Sequence, residues 1–297
     1  MTKKNKDSLG TRMKTYEAVP KNFLTLGTPK IIRLDMRAGH TFCKKFKKPF
    51  DEVFSKSMEA AMITLCEEIP GVVMGYTQSD EISLVLNDTT RSEDFQCFFD
   101  GNVEKIVSIS ASICTLAFNK KYAEIVANEV TQEDMAIYEP NLWKGQFDSR
   151  VFALPNVMEV HNYILWREVD ATRNSIQMVG HSVFTDKELH LKNSDEIQDM
   201  LFVQKNINWN DFPSRYKRGF VALKEQYTKD VELPNGEKVC GVKRKRWTAA
   251  EVPILTKDSE FIKKAYNRCL LVDGVLTEVW QLIKAKMIYL GFKFTDL

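Results

Sequence analysis

Three carboxylates, Asp35, Asp80 and Glu81, have the types and placement to do chemistry. Asp35 closes the β-rich run Lys30-Ile-Ile-Arg-Leu-Asp35, and Asp80 and Glu81 lead out of a Gln78-Ser79-Asp80 turn into another apolar run. Carboxylates gathered at one place repel unless something neutralises them. Two Mg²⁺ ions are the natural counter-charge, because Mg²⁺ takes hard oxygen ligands, usually one or two carboxylates completed by substrate phosphates. Such a pair stabilises the attacking and leaving oxygens of an in-line phosphoryl displacement. The residues around Asp35 suit a triphosphate: Arg33 precedes it, and Arg37, His40, Lys44, Lys45, Lys47 and Lys48 follow. Positive groups beside a metal site clamp phosphate oxygens, and the Ser79 hydroxyl is placed to donate to one. Singly, these residues are ordinary: aspartate favours turns, and a lysine run is usually a solvated face. They become informative if one fold collects them.

The surrounding pattern predicts such a fold. Phe54, Met58, Ala61, Met62, Leu65 and Ile69 recur at helical spacing, and Pro70-Gly71 ends that helix. Gly71–Thr77 and Glu81–Leu86 read as strands joined by the turn, Phe99–Asn128 as a long helix, and Arg150–Leu154 as a fourth strand. Asn156 with Glu159 forms a capping-box pattern opening a helix through Trp166. Strand, helix, strand, strand, helix, strand is the split βαβ, or ferredoxin-like, order. In that sheet the first and third strands are antiparallel neighbours, so Asp35 should meet Asp80 and Glu81 at one edge. The expectation is an α+β protein: an irregular leader over 1–29, a catalytic palm over 30–155 with an antiparallel sheet and helices on one face, and a largely helical region over 156–297. The last should contribute RNA binding and oligomerisation. It contains a charged loop near Gly236–Arg246 and a final helix over about Val275–Leu290, whose stripe Val279, Leu282, Ile283, Lys286 and Tyr289 would be core or oligomer contact.

Composition sets the limits. The 297 residues are 44% hydrophobic and 28% charged, as expected of a globular protein large enough for a sizeable core. No run has the length and apolarity of a membrane-spanning helix, and the Lys-rich start lacks the apolar stretch of a secretory signal, so the expected location is cytoplasmic, in a cell or in a host. The six cysteines form no C-x-x-C pair and imply neither a zinc site nor a disulfide framework. His161, His181 and His190 have no ligand-like spacing. A net charge of +2 leaves nucleic-acid binding to local patches.

Ile32-Arg-Leu-Asp-Met-Arg37, His40, Lys48-Pro49 and Tyr76-Thr-Gln-Ser-Asp-Glu-Ile-Ser83 resemble the tRNA-histidine guanylyltransferase superfamily. The likeness continues through Phe147-Asp-Ser-Arg150, Trp166-Arg-Glu-Val-Asp170, Asn206-Ile-Asn208 and Tyr216-Lys-Arg-Gly219, in order, from Ile31 to about Lys224. The resemblance implies a palm-fold nucleotidyltransferase that extends RNA in the 3′-to-5′ direction. The tRNA 5′ end is activated by adenylylation from ATP, or already carries a triphosphate, and the 3′-hydroxyl of an incoming nucleotide, GTP or another NTP, attacks it. It implies two Mg²⁺ ions on Asp35, Asp80 and the backbone carbonyl of Met36, and a required carboxylate at Glu81. Arg33, His40, Lys48 and Ser79 match nucleotide or triphosphate contacts, to which the basic stretch adds Arg37. Members are commonly homotetramers.

Two departures narrow this. Met36 stands where the family usually has Gly; a carbonyl ligand survives, but the backbone must suit a residue with a Cβ. Thr172-Arg-Asn-Ser175 stands where eukaryotic members carry His-Ile-Asn-Asn, so that only Asn174 matches. This resembles the branch that performs templated repair of 5′-truncated tRNAs. Asn174, Arg215, Lys217 and Arg218, in matched segments, are candidates for RNA contact. So are Lys243, Arg244 and Arg246, beside the aromatic Trp247. Asp148 with Arg150, and Asp170 with Arg167, read as structural ion pairs. The rival readings are a dedicated tRNA-His guanylyltransferase, a palm-fold nucleotide cyclase needing no RNA, and a non-catalytic RNA-binding module.

Overall fold

The chain is described from a computed structural model, which covers residues 8–89, 96–232, 236, 238–267, 270–272 and 275–277. Its centre is an antiparallel sheet of β1 (Lys30–Met36), β2 (Val72–Gln78), β3 (Glu81–Leu86) and β4 (Phe147–Ala153), in the spatial order β4-β1-β3-β2. The short helix α2 (Gly39–Phe42) and the long α3 (Glu52–Glu68) connect β1 to β2, and α4 (Val103–Asn128) and the short α5 (Met135–Tyr138) connect β3 to β4. This is the split βαβ order that the sequence pattern predicts. Asp51 caps α3 by accepting from the Phe54 N–H at 2.9 Å. The apolar stripe Met58, Met62 and Leu65 is buried against the sheet with Phe118 and Tyr122 of α4; each such side chain contributes about 2 kcal/mol of hydrophobic stabilisation.

The helices within 30–155 lie on one face of the sheet, as expected, and the region after it covers the other. α3 and α4 take one face, and α6 (Val157–Val183) and α10 (Glu260–Tyr266) take the other, burying Ile31, Tyr76, Val85, Val160, Ile164 and Ile262. The reason lies in the strands: every residue of β3 is buried, and Ile31 and Ile32 are buried on opposite faces, so apolar side chains leave both sides needing cover. α6 runs well past Trp166. Asn156 caps it, accepting from Glu159 N–H at 3.0 Å, but the reciprocal half of the capping box does not form, because the Glu159 carboxylate accepts from the Asn162 amide instead.

Four further expectations change. The leader is not wholly irregular, since α1 (Ser8–Ala18) is helical with most of its side chains exposed. The region after Val157 continues from α6 as helices through α7 (Asp186–Leu189), α8 (Ser194–Lys205) and α9 (Ser214–Arg218). It then returns to the sheet as β5 (Phe220–Glu232) and β6 (Lys238–Glu251), a long hairpin joined to β2 through Gly75–Thr77. The expected charged loop is thus strand β6. Its root, Thr248-Ala-Ala250, pairs with Val221-Ala-Leu223, and the Asn235-Gly236 pair between the strands is a hairpin signal in the sequence. β7 (Leu270–Val272) and β8 (Val275–Thr277) complete the sheet, so the expected final helix begins as a strand. The remainder of that helix and its stripe lie outside the described residues.

Candidate active site

The register places the carboxylates. On β1, Asp35 pairs directly with Glu81 of β3 on one side and with Asp148 of β4 on the other. The Met36 N–H donates to the Asp80 carbonyl at 3.0 Å, tying the end of β1 to the β2–β3 turn. Ser79 takes a left-handed backbone (φ 53°), a conformation that a non-glycine residue adopts at a cost of about 1 kcal/mol. Gly39 makes room for Asp80: a Cβ there would lie 2.1 Å from the Asp80 Oδ2. That glycine was not singled out from the sequence, and only the packed position of Asp80 reveals its purpose.

Burial first, and then the negative charges of Asp80 and Asp148, push the Asp35 carboxyl above its ordinary value, while Arg33 and Arg150 pull the other way. The same crowding shows at Cys43, whose thiol is pushed up to about 12 by burial and next by Asp80. Asp35 and Asp80 stay partly exposed. The donor set is hard carboxylate oxygen carrying excess negative charge, which fits Mg²⁺. Among the described residues no three acidic, histidine or cysteine side chains are gathered as a preformed metal cage. Mg²⁺ does not require one, because substrate phosphates complete its shell.

Glu81 is held differently. It is 8% exposed, and its carboxylate accepts from Arg33 and, at 2.8 Å, from Arg167 of α6. Burial lifts its carboxyl above the ordinary value against the pull of Arg167 and Arg33. Arg33, expected at the nucleotide, and Arg167, expected to pair with Asp170, therefore brace the β2–β3 turn against α6. Arg167 also reaches Asp170 at 3.0 Å, and the expected Asp148–Arg150 pair is present at 3.6 Å.

The basic stretch follows β1 directly. Arg37, His40, Lys44, Lys45, Lys47 and Lys48 are exposed. Lys48 and Ser79 line one small cavity of about 100 Å³ with Phe50, Tyr216 and Arg215. There Phe50 and Tyr216 stack at 4.8 Å, a pair the sequence reading did not select. Arg215 reaches this cavity while bonded to Glu59 at 2.9 Å. Lys217 does not face RNA: it is 8% exposed, donates to the Asn210 carbonyl at 2.6 Å, and burial lowers its pKa. Arg218 is turned to Glu168 at 3.8 Å. Asn174 is exposed on α6, its amide 3.4 Å from Asp170. Lys243, Arg244 and Arg246 are exposed along β6, with Arg246 bonded to Glu225 at 2.8 Å.

No described helix is long and apolar enough to cross a membrane. The model of the tRNA-His guanylyltransferase family matches residues 10–155, which hold all three carboxylates and the basic stretch. The tRNA(His) guanylyltransferase of Schizosaccharomyces pombe is 30% identical over 246 residues, covering 79% of this chain and 86% of that protein. A bacterial tRNA(His) guanylyltransferase-like protein solved in complex with ATP superposes with a TM-score of 0.72 at 34% identity, over 87% of this chain and 99% of the other. A structure of such a bacterial protein in complex with GTP gives 0.69 at 33% identity, over 88% and 99%. With the carboxylate edge, the palm order and these likenesses in agreement, the chain belongs to the tRNA-His guanylyltransferase family of nucleotidyltransferases.

Proposed function

We propose that the chain is a Mg²⁺-dependent 3′-to-5′ nucleotidyltransferase that adds nucleotides to the 5′ end of tRNA, in templated repair of 5′-truncated molecules. The observation that carries this reading is the meeting of Asp35 with the Asp80 turn beside a cavity lined by Lys48 and Ser79. Asp35, Asp80 and the Met36 carbonyl would hold the metal, which when bound supplies positive charge to the phosphate oxygens and lowers the pKa of an attacking hydroxyl. The chain's own groups do the rest. Lys48 and Ser79 bind triphosphate oxygens. Phe50 and Tyr216 offer aromatic faces to the base. Arg33 and Arg167, through Glu81, fix the turn that aims Asp80, so that little reorganisation is needed at reaction. In the addition step the 3′-oxygen of the incoming nucleotide bonds to the 5′ α-phosphorus, the bond to the leaving group breaks, and pyrophosphate or AMP departs while the hydroxyl proton passes to solvent.

ATP and GTP as substrates are supported by the ligands of the bacterial relatives, and repair by the Thr172–Ser175 segment together with the likeness to that bacterial group. The test is nucleotide addition to 5′-truncated tRNAs with each NTP in turn, beside full-length tRNA-His. Addition directed by the opposite strand on truncated tRNAs is expected. Addition of G to full-length tRNA-His alone would replace repair by dedicated guanylylation, and product formed from NTP without RNA would favour a cyclase.

A further inference from the structure

A second, larger cavity lies on the other side of the basic stretch. It measures about 700 Å³ and is walled by α4, through Ser108, Ser112 and Leu116, and by the segment carrying Trp143, Gln146 and Asp148, with Arg37 at its rim. Of the groups given a nucleotide or metal role above, only Arg37 lines it. It adjoins the carboxylate edge directly, because Asp148 pairs with Asp35 across β1 and β4 and the Arg37 N–H donates to the Gln146 carbonyl at 2.8 Å. Trp143 is 65% exposed and sits at a left-handed φ of 61°. A large indole left in water on a strained backbone is uncommon for a non-glycine residue. The segment is nevertheless firmly held: Asn119 donates to the Gly145 carbonyl at 2.8 Å and accepts from its N–H at 3.0 Å, and the Asn141 amide donates to the Phe42 carbonyl at 3.0 Å. Trp143 is thus presented on a fixed mount. Beside it is a guanidinium, Arg37, whose bond is to a neutral amide, Gln146, at 3.0 Å.

We infer that this cavity binds an unpaired nucleotide of the RNA substrate, its base stacked on Trp143 and its phosphate on Arg37, next to the reacting 5′ end. The volume suits one nucleotide, aromatic stacking accepts any base, and the cation is at the rim, where a backbone phosphate would pass. Asp148 also lines the cavity and is exposed, so a phosphate is drawn to Arg37 and repelled by that carboxylate. The inference rests on the RNA-directed reading above, and its test is chosen to be separable from that reading.

The test measures binding, without NTP, of the full-length protein to a tRNA transcript with unpaired acceptor nucleotides and to a blunt-ended RNA duplex, following tryptophan fluorescence and anisotropy. Trp143→Ala should raise the tRNA Kd about tenfold, change the duplex Kd little and remove part of the fluorescence quench. Trp143→Phe should keep most of the affinity, and ATP binding should be the same in all three proteins. An unchanged tRNA Kd in Trp143→Ala, a weakened ATP affinity, or no tRNA binding by the unaltered protein would overturn the inference. Failure here with nucleotide addition intact leaves the catalytic reading standing. Loss of addition in the unaltered protein with Trp143-dependent binding intact sinks only the catalytic reading.

Discussion

At the scale of single residues, Asp35 and Asp80 should be exchangeable for their amides without loss of the fold. Both sit at the rim of the sheet, outside the apolar core. Asp35→Asn removes a charge that burial, Asp80 and Asp148 make unfavourable. Its thermal midpoint should therefore equal or exceed that of the unaltered protein, while nucleotide addition falls by at least about 100-fold; a lower midpoint measured by calorimetry would contradict this. Cysteine chemistry gives a second check. The Cys43 thiol, pushed up to about 12, is ionised in about one molecule in 10⁴ at pH 8. Its ionised fraction grows tenfold with each pH unit up to that value. Alkylation at pH 8 followed by mass spectrometry should label the exposed Cys240 and spare Cys43 and the buried Cys66 and Cys114. Rapid labelling of Cys43 would contradict a thiol held protonated by burial and by the neighbouring Asp80.

At the scale of elements, the brace of Arg33, Glu81 and Arg167 joins β1, β3 and α6. Removing one member of a buried ion pair leaves its partner uncompensated. Arg167→Met should cost about 3 kcal/mol in denaturant unfolding and lower kcal-scale stability together with kcat, with KM for NTP less affected. A larger effect on KM would place Arg167 at the nucleotide instead. The palm itself was legible: the order of its strands and helices, and the Asp35–Glu81 pairing, follow from the 2.0 and 3.6 periodicities and from the handedness and adjacency of the split βαβ unit. The brace was not, because Arg167 lies 86 positions from Glu81, and nothing local favours that partner over Asp170 three residues away. Gly39 was equally silent, since its role exists only against the packed Asp80 side chain. The hairpin of β5 and β6 was misread because its charged outer halves hide the strand alternation, although Phe220-Val-Ala-Leu223 and Asn235-Gly236 carried the signal. Lys217 was misread because charge in a sequence does not reveal that Nζ reaches inward to the Asn210 carbonyl.

At the scale of the whole molecule, the exposed cations of β6 extend the positive surface away from the carboxylate edge. On β6, Lys243 and Lys245 share a face with Trp247, over which Lys224 lies at 5.1 Å. With this face on tRNA phosphates, the double change Lys243→Gln, Lys245→Gln should weaken binding to all tRNAs alike and reduce the slope of log affinity against log salt by roughly two. An unchanged slope would remove the hairpin from the RNA surface. We propose a homotetramer, which analytical ultracentrifugation should detect, and a monomer across the micromolar range would contradict it. The proposed activity rests on one meeting, that of Asp35 with Asp80, and on the divalent cation and triphosphate proposed to bind there. The most direct measurement is transfer of labelled nucleotide to the 5′ end of a truncated tRNA, with and without Mg²⁺, by the unaltered protein, Asp35→Asn and Asp80→Asn. Transfer should require Mg²⁺ and be lost in both variants while each still unfolds cooperatively; transfer by either folded variant at the rate of the unaltered protein would contradict the assignment.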